Sequence, residues 1–275
     1  MAAITGVATP AKSSWRVLPS RIVTFCLVEL RRIRHDRTEL YTRAIQPILW
    51  LLIYGEAFNR AALFKHAGLL PPGVSYLQFL APGIMAQSAL FISIFYGIQI
   101  IWERDAGMLT KLLATPSPRS ALIAGKAFAA GIRGFSQVVV ILSLSAILQI
   151  GLDWNPLRLL GAAIVVVISA GFFSCLSMVL AGVVVSRDRL MGIGQAITMP
   201  LFFASSALYP LAMVKRIPVL GWIPYINPLT YEVEALRGLL INTPTNLVLD
   251  IGVLVVCLVV GVFAAGALLG RLARG

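Results

Sequence analysis

The nearest approach to a phosphate-binding loop in this chain is Gly125-Lys126. Such a loop has the form Gly-x-x-x-x-Gly-Lys-Ser/Thr, because backbone amides cradle the phosphates and the hydroxyl holds magnesium. Ser120 stands where the first glycine belongs and Ala127 where the hydroxyl belongs. The loop fails at both ends, so no ATP hydrolysis is expected from this chain. The cysteines, Cys26, Cys175 and Cys257, lack metal-ligand spacing and read as packing residues. His35 and His66 fall on opposite sides of the membrane in the topology derived below, so they cannot share a metal. No Ser/His/Asp set or intramembrane carboxylate pair points to a membrane hydrolase. No catalytic residue, bound cofactor or metal is expected, and the remaining polar residues must hold elements or partners in place.

Those elements are set by lipid. The 275 residues are 59% hydrophobic and 12% charged, about half the charge of an ordinary soluble domain. Mean hydropathy is +0.88. Spans of about 20 residues cross a hydrocarbon core of about 30 Å, and six can be drawn, at about 44–62, 76–101, 127–152, 157–185, 190–211 and 247–269. With these drawn, 17 of the 23 Lys and Arg fall on one side with six acids, and the other six face five acids on the opposite side. The net charge of +12 is therefore the positive-inside pattern, with both termini cytoplasmic, and not a nucleic-acid surface. The first 43 residues carry too many charges for a cleaved signal peptide, so the first span is read as the insertion signal.

Residues 1–20 read as a flexible cytoplasmic tail ahead of one membrane domain over 21–275. Between Arg21 and Arg43, Ile22, Cys26, Leu30 and Ile33 recur at helical spacing opposite Arg31, Arg32, Arg34 and Arg37. This predicts an amphipathic helix along the interface. The turn Asp153-Trp154-Asn155-Pro156 makes spans three and four antiparallel neighbours, and Pro200 predicts a kink in span five.

Two stretches are not ordinary spans. The first begins at Glu103, where two acids favour a helix start. It then places Met108, Leu109, Leu112 and Leu113 on one face and stops at Pro116 and Pro118. This predicts a short amphipathic helix between spans two and three, resting on lipid headgroups or docking a partner. The second, 217–242, is too apolar for a solvated loop, yet Pro218, Pro224 and Pro228 forbid a continuous span. A broken, re-entrant hairpin follows, and irregular backbone at that depth is tolerated only inside protein or along a cavity. It is a candidate gate.

These stretches read Glu103-Arg104-x-x-Gly107-Met108-Leu109-x-x-Leu112-Leu113-x-Thr115-Pro116-x-x-Arg119 and Asn227-Pro228-Leu229-Thr230-Tyr231-x-Val233-Glu234-x-Leu236-Arg237. In that order on a six-span chain they resemble the ABC-type-2 exporter permeases, the group that includes daunorubicin-type drug and nodulation-factor-type export subunits. The resemblance covers Arg21 to the C-terminus. It implies an all-α integral membrane fold with an N-terminal interfacial helix, a cytoplasmic coupling helix and a re-entrant external hairpin before span six. It also implies that Glu103 to Arg119 seat in a groove of a cytoplasmic ABC ATPase, present in two copies with ATP and magnesium. The segment Arg21 to Arg43 would meet the same subunit, and a second permease chain, identical or related, would complete the pathway. Pro224, Asn227, Pro228, Tyr231, Glu234 and Arg237 would form the external gate. The expected function is export of a hydrophobic or amphipathic substrate, drug-like or lipid, across a bacterial inner membrane.

Several residues carry two readings. Glu56 lies near the outer end of span one; it faces the pathway, or it pairs with Arg60 four residues on and snorkels outward. Phe91, Phe95, Phe202 and Phe203 line a lipophilic path, or pack. The basic pair Lys215-Arg216 departs from the family texture without an assigned role. An ion-gradient-driven secondary carrier is the competing class. It would be expected to show internal repeats and midplane ionisable residues, and neither is clear in the sequence.

Overall fold

The computed structural model describes residues 20, 23–24, 27, 31, 37–61, 70–113, 119–184, 186–211 and 221–272. The expected interfacial helix over 21–43 therefore falls mostly outside the described residues. Among those residues every regular element is a helix: α1 (Arg37–Ala61), α2 (Tyr76–Asp105), α3 (Met108–Leu113), α4 (Arg119–Ile147), α5 (Pro156–Val184), α6 (Arg187–Phe203), α7 (Ile223–Ile226), α8 (Pro228–Leu240) and α9 (Leu247–Leu272). Four are long and apolar enough to cross a membrane: α2, α4, α5 and the Leu247–Leu269 part of α9. α1 carries a shorter apolar stretch, Ile45–Gly55, and α6 has 17 residues.

The helix bounds follow local chemistry. Ser75 caps α2 with a reciprocal box, accepting from Gln78 N while Gln78 Oε1 accepts from Ser75 N at 2.8 Å. α4 begins at Arg119, ahead of the 127–152 expected for span three, because no breaker follows Pro118. It ends where Gln149 (φ 51°) and Gly151 (φ 75°) turn the chain into left-handed backbone. The expected span over 190–211 is cut short. α6 closes at Phe203, three residues past Pro200, and bends occupy Ser205 to Tyr209. There the Ser205 hydroxyl donates to Phe202 O at 2.7 Å and accepts from Ala207 N at 3.2 Å, replacing helical bonds with a local turn.

Within a bilayer, helix association rests on close packing and polar contacts more than on burial from water. α5 is the hub, touching α2, α4, α6, α8 and α9. Small residues set its distances. A Cβ at Gly97 of α2 would lie 2.6 Å from Ser174 O, and the adjacent Ser177 hydroxyl donates to Ile94 O at 2.7 Å. α9 turns Val248, Val255, Val256, Val259, Val260 and Phe263 outward, an apolar stripe suited to lipid.

The Gly97 contact should be intolerant of bulk. Gly97→Leu is expected to abolish the monodisperse protein seen by size-exclusion chromatography after mild extraction. Gly192→Ala, at a helical site with open space around it, should leave yield and thermal midpoint unchanged or raise the latter slightly.

Candidate functional site

One end of the bundle is organised around the close of α2. Glu103 and Lys126 of α4 form an enclosed ion pair, with Nζ 2.8 Å from both carboxylate oxygens and the side chains 12% and 6% exposed. Lys126 and Arg133 also face the Tyr96 ring, at 5.6 and 3.9 Å from its centroid. Arg187, opening α6, lies 4.8 Å over the Trp102 ring. Three helices thus share one polar junction. Arg104 pairs with its exposed neighbour Asp105 at 2.8 Å, a contact of little energetic weight.

From this junction hangs α3. Gly107 (φ 68°) makes the turn, and its amide donates to Arg104 O at 2.8 Å; a side chain there would be strained. The six residues of α3 are then oriented by one anchor. Leu109 is fully buried and Leu112 packs against the core, whereas Met108, Thr110 and Lys111 are exposed. This corrects the single face expected for Met108, Leu109, Leu112 and Leu113. Leu109 and Leu112 belong to the chain's own core. Arg119 is exposed at the start of α4. Thr115, Pro116 and the Leu113 side chain lie outside the described residues.

The opposite end is held by Arg237. Its guanidinium is 1% exposed and stacks 3.5 Å over the Phe79 ring. Nη2 donates to Ser206 O (2.7 Å) and Ala207 O (3.2 Å), Nε to Phe79 O (3.4 Å) and Nη1 to Glu234 (3.0 Å). Carbonyls released where α6 unwinds thus find their donors on α8. Asn227 does two further jobs: its Oδ1 accepts from Leu229 N to cap α8, and its Nδ2 donates to Leu201 O at 2.6 Å. Pro228 sits at the first helical turn. The Tyr231 hydroxyl donates to Tyr225 O at 2.7 Å, folding α7 onto α8, and Pro224 is buried there. The structure brings the six hairpin residues together as one clamp.

Beside the clamp, Arg158 and Asn242 meet Asp153, joining the α4–α5 turn to the end of α8. The Asn155 amide, then the Asn242 amide and Arg158, hold the Asp153 carboxyl below the usual carboxylate range.

Between α1, α2 and α4 lies a cavity of about 350 Å³, with Phe91 and Phe95 on its wall beside Gln87, Ser88 and Gln137. Phe202 and Phe203 sit elsewhere. Phe202 is buried edge-on to Trp50 with centroids 5.6 Å apart, and Phe203 is 48% exposed. Glu56 belongs to α1, but its side chain lies outside the described residues.

A family profile described as ABC-2 type transporter matches residues 21–241. The chain belongs to the ABC-2 type transporter family. Among its relatives, the putative transport permease ycf38 of Cyanophora paradoxa is 29% identical over 73% of this chain and 67% of its own length. Nodulation protein J of Neorhizobium galegae is 27% identical over 94% of this chain and 97% of its own. The daunorubicin resistance ABC transporter permease protein DrrB1 of Streptomyces coeruleorubidus is 24% identical over 85% and 78%. The chain is thus a multi-pass membrane component of the ABC-2 type.

Several residues of this ABC-2 chain escape a reading of loops and spans. Lys126 and Arg133 belong to the 17 basic residues of the cytoplasmic side, yet both are buried within α4. Their spacing carried a signal: Lys126, Arg133 and Gln137 recur at seven and four residues on an otherwise apolar helix, so they share one face. Glu232, fully buried on α8, was also passed over. Its neighbour on α5 is Ser169, whose hydroxyl also reaches Val166 O at 3.1 Å.

The Arg237 clamp can be tested against its weaker neighbour. Arg237→Lys should destabilise the purified protein by roughly 3–5 kcal/mol, because an ammonium cannot reach four acceptors from one plane. Tyr231→Phe removes one hydrogen bond and should cost about 1 kcal/mol. Thermal unfolding in lipid nanodiscs ranks the two, and equal midpoints would contradict the clamp.

Proposed function

We propose that this chain is the permease subunit of an ATP-driven exporter in a bacterial cytoplasmic membrane, with six spans and both termini cytoplasmic. In this reading α1 and α6 are the two spans beyond the four long apolar helices. A second permease chain, identical or related, faces it across the pathway, and two cytoplasmic ABC ATPase subunits supply ATP hydrolysis with magnesium. The cargo is a hydrophobic or amphipathic molecule taken from the cytoplasm or the inner leaflet. The word daunorubicin in one relative's name supports a drug-like cargo, and the nodulation relatives leave a glycolipid equally in view.

The observation that carries this reading is α3. Its leucines fasten it inward to α2 while Met108, Thr110 and Lys111 stand outward at the end of the bundle where Glu103 and Lys126 tie α2 to α4. An ATPase closing on that outward face would move α2 and α4 together, and the motion would reach the hairpin of α7 and α8 through the contact of α2 with α8. Opening there releases the cargo outward. Buried Arg133 and Glu232 are what an ion-driven carrier would draw on instead.

Co-expression with the ATPase separates the two readings. Met108→Glu combined with Lys111→Glu should lower substrate-stimulated ATP hydrolysis and export at least about tenfold without changing the thermal midpoint. Leu109→Ala, by opening a cavity in the core, should lower the midpoint as well. Wild-type export by the double variant, or export that survives ATP depletion and stops with an ionophore, would overturn the proposal.

A further inference from the structure

The cavity between α1, α2 and α4 is not an apolar hole. At about 350 Å³ it lies at the small end of the range for ligand sites. Its wall combines the rings of Phe91 and Phe95 with the amides of Gln87 and Gln137, the hydroxyl of Ser88 and, from α1, the exposed Thr42 and Gln46. Gln87 is 3% exposed and Gln137 1%, and Gln87 Nε2 and Gln137 Oε1 have no hydrogen-bond partner. Buried polar atoms are ordinarily paired, and an exception needs an explanation. The Ser88 hydroxyl, by contrast, already donates to Ile84 O at 2.6 Å. Both residues line the cavity, so the unmet capacity at its wall includes one amide donor and one amide acceptor.

A group that satisfies both must accept and donate, as a hydroxyl does. It must also be neutral. Among the described residues no charged side chain lines the cavity, and an ion brought there would lose its hydration without a countercharge. On α4 the nearest charge, Arg133, lies one turn from Gln137 and is engaged over the Tyr96 ring. The aromatic rings offer their faces to the C–H surface of the same group, and the volume holds a head rather than a whole amphiphile.

We propose that this cavity binds the neutral, hydroxyl-bearing head of an amphipathic molecule, held between the Gln87 and Gln137 amides against Phe91 and Phe95. The inference deepens the export reading and rests on it only for the direction of movement, since binding needs no ATP.

The test uses the full chain in phosphatidylcholine nanodiscs, with empty discs as the partition control. Radiolabelled octyl glucoside is compared with octyl sulfate and octyl trimethylammonium, which share the tail and differ in the head. The glucoside is expected to bind at least tenfold more tightly than either charged amphiphile. Gln87→Leu and Gln137→Leu should each weaken it about tenfold, with Gln87→Asn losing less, and Phe203→Ala, outside the cavity, should bind as wild type. Equal binding of the three heads would overturn the proposal, as would unchanged glucoside binding by both leucine variants. Loss of folded protein in both leucine variants would assign the amides to packing and overturn it equally. Failure of ATPase coupling with intact glucoside binding would reject the export reading and leave this site standing.

Discussion

A backbone carbonyl in lipid must be given a donor, and this fold depends on one side chain that serves several at once. Past Pro200 the chain leaves the helix while still enclosed. The carbonyls of Ser206 and Ala207 then lose their intrahelical partners, a loss worth about 1–3 kcal/mol for each group left buried and unsatisfied. Arg237 supplies the donors, and its stacking on Phe79 fixes the plane from which it does so. The end of α6, the start of α2 and the whole of α8 are thereby located relative to one another. The proline and the arginine, 37 positions apart, are two halves of one structural device.

The other end of the bundle solves a different problem with similar means. Lys126 and Arg133 enter the interior with α4, and enclosed charge is costly unless it is paired. Glu103 takes the lysine, and the face of Tyr96 takes part of both cations. The contact between α2 and α4 is therefore charged near α3, and further along Gln87 and Gln137 keep it polar beside the cavity. Polar pairing gives a junction a preferred geometry that smooth apolar packing lacks. A single register between these helices follows from it.

Much of this was legible in the residues and some was not. The breaks at Pro224 and Pro228 announced the second irregular stretch, because proline acts locally and leaves a local mark. The spans 157–185 and 247–269 agree with α5 and α9 to within a few residues, since their hydropathy is unbroken. The facing of α3 was not readable: Met108 and Leu109 are alike in character, and only the placement of α2 and α4 decides which turns inward. Phe91 and Phe202 were indistinguishable for the same reason. Sequence registers that a ring is apolar, and tertiary contact determines whether it borders a cavity or Trp50. The burial of Lys126 and Arg133 was hidden by treating charge as a marker of loops, which fails wherever another helix brings a countercharge or an aromatic face.

The turn at Gly107 has a mechanical consequence. Only Ala106 and Gly107 separate α2 from α3, and their amides are bonded back to Trp102 and Arg104. There is no slack to take up. In the proposed reading, a load on the outer face of α3 would meet Leu109 as a fulcrum seated in the core, and the stroke would pass into the rod of α2 instead of being absorbed by a yielding linker. Shortness, in a tether of this kind, is what would make it a transmission.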